Sequence, residues 1–167
     1  MNGQGKRRTK PISNNDLHMG VFTMIRLFAT ALVASALVGC ASVPMGDPQR
    51  DAELKNFAVA PGKAGVYVYR NESMGAAVKM DVSLDGAPLG QTGAKTYLYK
   101  DVTPGKHTIS SKAENTETIE FDAKPGSLTY VWQEVKMGVM SARSKLHIAS
   151  EADGKKGVQA SKLAQSN

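Results

Sequence analysis

The chain has 167 residues, with 21 basic against 15 acidic side chains and a net charge of +6, a balance that on its own suggests nucleic acid or an anionic membrane as partner. The placement of the charge argues against nucleic acid. Before Cys40 stand Lys6, Arg7, Arg8, Lys10 and Arg26 against Asp16 alone, whereas the residues from Cys40 onward are close to neutral and carry no basic stripe interleaved with aromatics. The single cysteine excludes an internal disulfide and a cysteine-rich metal site.

In chain order, residues 1–23 are polar and basic and read either as a product of start-codon choice or as a disordered extension. A start at Met24 would give the compact opening Met-Ile-Arg-Leu-Phe. Residues 24–39 then read as a leader, because Arg26 is followed by the uncharged apolar stretch Leu27 to Gly39. That stretch is too short for a comfortable membrane span, which takes about 20 apolar residues. At its end, Leu37-Val38-Gly39-Cys40 resembles the lipobox of bacterial lipoproteins. The resemblance implies cleavage between Gly39 and Cys40, a diacylglyceryl thioether on Cys40 Sγ, and often acylation of the new amino group. Ala41 in the next position is similar to the class sorted to the outer membrane. Each buried methylene of such an anchor contributes about 0.8 kcal/mol, and two or more chains hold stably where one is marginal. The competing reading of Cys40 is a buried thiol in an internal apolar helix.

Residues 40–64 are rich in Pro, Gly, Asp and Ala and predict a tether, with Leu54, Phe57 and Val59 able to dock on the domain beyond it. Residues 65–150 predict a mostly β domain, a small antiparallel sandwich of about seven strands. The strands are expected at Val66 to Arg70, Val78 to Leu84, Thr96 to Val102, His107 to Lys112, Thr118 to Asp122, Leu128 to Val135 and Val139 to Ile148, the last interrupted. Met80, Val82 and Leu84 alternate with Lys79, Asp81 and Ser83, the period of a half-buried strand. Asp85-Gly86 is a two-residue hairpin signal, and Pro104-Gly105 and Pro125-Gly126 are turn pairs, so neighbouring strands are expected to be antiparallel. Residues 151–167 read as a polar tail with a short frayed helix at Val158 to Gln165.

Leu84-Asp85-Gly86, Lys95-Thr96-Tyr97-Leu98-Tyr99 and Val102-Thr103-Pro104-Gly105-Lys106-His107-Thr108-Ile109 together resemble a bacterial lipoprotein family known as domain of unknown function 2846, over about Gly65 to Ile148. The same pattern is similar to surface-layer and carboxypeptidase-regulatory β-sandwich modules. The resemblance therefore implies a fold and carries no catalytic residues.

No chemistry-bearing set emerges from the residues themselves. His107 and His147 lack the short spacing of metal ligands, so no metal or cofactor is expected. Ser110 and Ser111 adjoin His107, but successive strand residues point to opposite faces, which is poor geometry for a triad. Gly90-Gln91-Thr92-Gly93-Ala94-Lys95-Thr96 lacks the Gly-Lys-Ser/Thr junction of a phosphate loop, and Asp81, Asp85 and Asp101, two at turns and one on an exposed strand face, suit solvation better than a paired-carboxylate role. Tyr67, Tyr69, Tyr97, Tyr99, Tyr130 and Trp132 suit core packing, or, if Tyr97, Tyr99 and Trp132 share an exposed face, a platform for sugars or peptides. Met137 and Met140 around Gly138 suit either core filling or a pliable contact edge. The expectation is a non-enzymatic, lipid-anchored module of the cell envelope, at the outer membrane, that binds or supports an envelope protein or glycan; the alternative is a carbohydrate- or peptidoglycan-binding module.

Overall fold

The computed structural model describes residues 42–167, so Gly39, Cys40 and the leader lie outside the described residues. The elements run α1 (Pro48–Leu54), β1 (Ala64–Arg70), β2 (Met80–Leu84), β3 (Ala87–Thr92), β4 (Thr96–Val102), β5 (Gly105–Lys112), β6 (Thr116–Ala123), β7 (Leu128–Met137), β8 (Ala142–Ile148), α2 (Glu151–Gln159) and β9 (Lys162–Leu163). They build a five-stranded sheet, ordered β8-β7-β1-β4-β9, facing a four-stranded sheet, ordered β3-β2-β5-β6. The mostly β sandwich expected from the alternation is present. Two strands escape a reading by period: β3, which carries Pro88 and is tolerated because it is an edge strand, and β9, only two residues long.

The turns sort by function. Asp85 and Gly86 take φ of 52° and 80° and close the β2–β3 hairpin within one sheet. The Pro-Gly pairs instead carry the chain between sheets, from β4 to β5 at Pro104-Gly105 and from β6 to β7 at Pro125-Gly126. The second crossing returns the chain beside the start of β1: Gly126 N–H donates to Lys63 O at 2.8 Å and Gly65 N–H to Ser127 O at 3.0 Å. Hence β7 runs parallel to β1, against the antiparallel expectation, and β9 likewise runs parallel to β4.

Two apolar clusters result. Val66, Val68, Val82, Leu98, Ile109, Val131 and Leu146 fill the space between the sheets. On the other face of the five-stranded sheet, Tyr67, Tyr69, Tyr97, Tyr99 and Tyr130 pack with Leu54 of α1, Val158 of α2 and Leu163. Every residue of β1 is buried, since both of its faces are covered.

The segments expected to be tether and tail are parts of this fold. Asp47 caps α1 by accepting Arg50 N–H at 2.8 Å, with Pro48 in the first turn where its missing N–H costs nothing. Leu54 is buried, and Phe57 sits with ring centroids 5.8 Å from Tyr67 and 6.3 Å from Tyr130, so the docking expected of these two side chains occurs. Gly46 N–H donates to Leu163 O and Gln165 N–H to Pro44 O, which ties the two ends of the described chain together. The tether therefore does not reach Gly65: Val43 is already buried. The C-terminal helix expected over Val158 to Gln165 lies instead at Glu151–Gln159, with Ser150 as cap accepting Asp153 N–H at 3.2 Å, and Lys162–Leu163 is strand.

Helix α2 docks through glycines. A Cβ at Gly154 would lie 2.2 Å from Tyr130 Cγ, and one at Gly157 would lie 2.1 Å from Tyr69 Cε2. In an isolated helix Gly157→Ala should gain about 1 kcal/mol. Here overpacking costs about 1–3 kcal/mol and exposes the tyrosines if α2 lifts, so the variant is expected to lose about 1 kcal/mol net. Urea denaturation checks the sign, and a gain in midpoint would contradict the docking.

Candidate functional site

The aromatic residues singled out as a platform do share one face, but that face is not open. Tyr97 is 0% and Tyr99 7% exposed beneath α1, because the apolar rings are better covered by Leu54, Phe57 and Leu163 than left to water. Tyr97 OH donates to Asp51 O at 3.4 Å and Tyr99 OH to Asp101 Oδ1 at 2.6 Å. Burial pushes the Tyr69 and Tyr130 hydroxyls up to about 12. Of the three only Trp132 is partly open, stacked on His147 at 5.0 Å and 27°, with its Nε1 buried and without a partner among the described residues. The exposed three-residue platform is thus corrected to a buried tyrosine core with one half-covered tryptophan at its margin.

The remaining candidates are dispersed. His107 on β5 pairs through Nδ1 with Asp85 Oδ2 at 2.7 Å and through Nε2 with Thr103 O at 2.7 Å, whereas His147 on β8 pairs with Glu134 Oε2 at 2.9 Å. Asp81 accepts from Gln91 Nε2, and Asp101 from Tyr99. Among the described residues no three His, Cys, Asp or Glu side chains gather as metal ligands. The glycine-rich segment 90–96 ends in a β3–β4 turn, where Thr96 Oγ1 accepts Gly93 N–H at 2.9 Å, and leads into a strand. Ser111 is buried between the sheets and donates nothing toward His107; its Oγ accepts from Gln133 Nε2 at 2.6 Å.

The His107 contact explains part of the motif behind the family resemblance. Asp85 uses its second oxygen to accept Thr108 N–H at 2.8 Å, so one carboxylate clamps the hairpin to β5. The Asp85 hydrogen bond raises the His107 pKa above its usual value, while burial works to lower it. Burial works to raise Asp85, but the His107 and Thr108 bonds outweigh it and hold its pKa low. The raised His107 value means that its contribution is complete below the unfolded pKa near 6.5 and fades as pH rises through the folded one; Asp85 loses its share as pH falls through its depressed value. With Asp85 about half exposed, the pair is worth only about 1 kcal/mol. His107→Gln should therefore lose about 1 kcal/mol near pH 6 and progressively less above about pH 7, as measured by urea midpoints across pH. An equal loss at alkaline pH would refute the charged pair.

The surface feature that stands out lies at the end of the sandwich where β1 stops. Strand directions bring loop 71–79, turn 93–95, turn 113–115 and the β7–β8 turn 138–141 to this end. Met137, Val139 and Met140 are 85%, 89% and 93% exposed, and Met74 is 56% exposed; Met137 and Met140 are therefore not core filling. Their loops are firmly held from within. Fully buried Arg70 donates to the carbonyls of Val78, Met74 and Gly75 at 2.7, 2.9 and 2.6 Å. Glu114, from the opposing sheet, accepts the N–H groups of Val139, Met140 and Ser141 at 3.0, 3.1 and 2.8 Å. The Ser141 bond, then those of Val139 and Met140, lowers the Glu114 pKa. Glu114 carries no sequence signal for this role, since it meets groups about 25 positions away, whereas Arg70 holds the loop directly after its own strand. Among the described residues no helix is long and apolar enough to cross a membrane.

A protein of Haemophilus influenzae named as an uncharacterized protein is 28% identical over 158 residues, covering 93% of this chain and 92% of its own. The profile of a family described as protein of unknown function (DUF2846) matches residues 60–145, from the loop before β1 into β8. With half of its length matched, including the clamped hairpin and the two Pro-Gly crossings, the chain belongs to the DUF2846 family.

Proposed function

We propose that the protein is a lipoprotein of the bacterial cell envelope, held at a membrane by acyl chains on Cys40, whose β-sandwich is a non-catalytic module that binds or supports another envelope component. The observation that carries this reading is the leader Arg26 to Gly39 ending in Leu37-Val38-Gly39-Cys40, followed at once by a folded unit whose first buried side chain is Val43. A cut before Cys40 would leave the sandwich intact and make the acylated residue the first of the mature chain, two positions before Ser42. Ala41 favours the outer membrane as the destination.

The test is metabolic labelling of the full precursor in a bacterial host with an alkyne analogue of palmitate. The wild-type chain should take up label, lose the mass of its leader and sediment with membranes. Cys40→Ser should take up none and remain uncut, because cleavage follows lipidation, although its apolar leader leaves some membrane association. An unlabelled wild-type chain, or label persisting in Cys40→Ser, would overturn the proposal.

A further inference from the structure

Among the described residues six large apolar side chains are exposed, and five of them, Met45, Met74, Met137, Val139 and Met140, lie at one end of the sandwich. Such clustering is unlike the scatter of single apolar residues on ordinary surfaces. The same end receives the chain from Cys40. Ser42, Val43 and Met45 share a hollow with Ala76 and with Gly93 to Thr96, while Met74, Gly75 and Val78 of the same 71–79 loop share the neighbouring hollow with Met137 to Ala142. Loop 71–79 thus joins the apolar tip to the start of the folded unit. Cys40 stands two residues before Ser42 in the sequence.

We propose that this end is a second membrane contact, with Met74, Met137, Val139 and Met140 inserted at the acyl boundary of the bilayer; the proposal rests on the lipoprotein reading of Cys40. The charge around the tip selects a lipid surface as the occupant. Lys79, Lys95, Arg143 and Lys162 are exposed on the tip and its flanking turns, the arrangement that anionic headgroups attract. The carboxylates at this end each have a partner: Glu114 accepts three backbone N–H groups, Glu72 accepts Val135 N–H at 3.2 Å, Asp81 accepts from Gln91 Nε2, Glu117 is paired with Lys145, and Glu134 with Lys136 and His147. The grips of Arg70 and Glu114 give the tip its fixed shape. A Cβ at Gly138 would lie 2.2 Å from Glu114 Oε2, so the turn closes over that carboxylate and turns Val139 and Met140 outward. Methionine suits such a contact, being flexible and apolar enough to adapt to disordered chains. The sandwich would then stand on the membrane in one orientation, with the Asp85-Gly86 and Pro125-Gly126 turns pointing away.

The test uses the compact unit from Ala41 to Asn167, which contains no cysteine because Cys40 is the chain's only one. An N-terminal hexahistidine segment attaches it to vesicles of phosphatidylethanolamine and phosphatidylglycerol doped with a nickel-chelating lipid. Attachment then occurs at the natural end whether or not Cys40 is ever acylated, so failure here and failure of palmitate labelling are separate results. Met140→Cys and, at the far end, Lys124→Cys each receive a polarity-sensitive fluorophore. The label at 140 should brighten several-fold, shift to the blue and be quenched by lipids brominated on the acyl chain, while the label at 124 stays water-like. Replacing Met74, Met137 and Val139 by Ser should abolish the response at 140 without moving the thermal transition. A water-like label at 140, equal responses at both positions, or a vesicle-free response that grows with protein concentration, as expected if a second copy covers the tip, would each overturn the proposal.

Discussion

Tyr67→Ala is expected to destabilise the folded unit by about 4 kcal/mol, the size typical of emptying a buried aromatic site. Tyr67 is fully buried at the middle of β1, the strand at the centre of its sheet. Its ring stacks on Tyr130 at 5.3 Å and 10°, and lies 4.7 Å from Tyr99, 5.8 Å from Tyr97 and 5.8 Å from Phe57. Its hydroxyl donates to Leu54 O at 2.7 Å, the last residue of α1. Truncation removes the ring and the donor that ties down α1, so the segment from Pro48 onward should lose its seat. Tyr67→Phe keeps the ring and should cost only about 1 kcal/mol, the net worth of one hydrogen bond. Since a domain's whole stability is about 5–15 kcal/mol, the alanine variant should fall far in urea midpoint and the phenylalanine variant little. Similar losses for both would show that the hydroxyl, not the packing, secures this face.

Gln133→Ala should cost about 3 kcal/mol for a different reason. Gln133 lies on the inner face of β7, fully buried, and its amide bridges the two sheets: Nε2 donates to Ser111 Oγ on β5, and Oε1 accepts from Thr92 Oγ1 on β3. Truncation leaves the Ser111 hydroxyl unpaired, leaves Thr92 Oγ1 only the long bond to Met80 O at 3.4 Å, and opens a cavity, and each unpaired buried group costs about 1–3 kcal/mol. Gln133→Leu restores volume without restoring partners, so it should remain destabilised. Combining it with Thr92→Val and Ser111→Ala removes the stranded groups and should recover much of the loss. Additive losses in the triple variant, read from urea midpoints, would mean that the three side chains are not a unit.

Much of the β architecture could be read from local chemistry. Strand period shows directly in Met80, Val82 and Leu84, and Asp85-Gly86 specifies a hairpin because its backbone needs positive φ at both positions. Helix α2 was not legible in the same way. Its sequence, Glu-Ala-Asp-Gly-Lys-Lys-Gly-Val-Gln, contains two glycines that each cost about 1 kcal/mol against alanine, so it reads as tail. The reason for those glycines is the rings of Tyr130 and Tyr69 pressed against them, and those rings sit on strands more than 20 positions earlier. The two-residue β9 and the bridge between Met45 and Ala164 are too short to leave any period.

By itself the amino-acid sequence determined the β class, the paired faces of the strands, the hairpin at Asp85-Gly86 and the membership of the family, because each depends on neighbours along the chain or on a motif spread over few residues. Only the tertiary structure decided which face of the tyrosine strands would be covered, since alternation marks two faces without naming what packs on either. It also decided that β1 and β7 run parallel, because the Pro125-Gly126 crossing delivers the chain to the end where β1 begins. And it decided that Met74, Met137, Val139 and Met140 stand exposed together. That outcome depends on Arg70 gripping the carbonyls of the loop that follows β1 and on Glu114 gripping the backbone of the β7–β8 turn, and the second of these joins residues whose separation along the chain leaves no local trace.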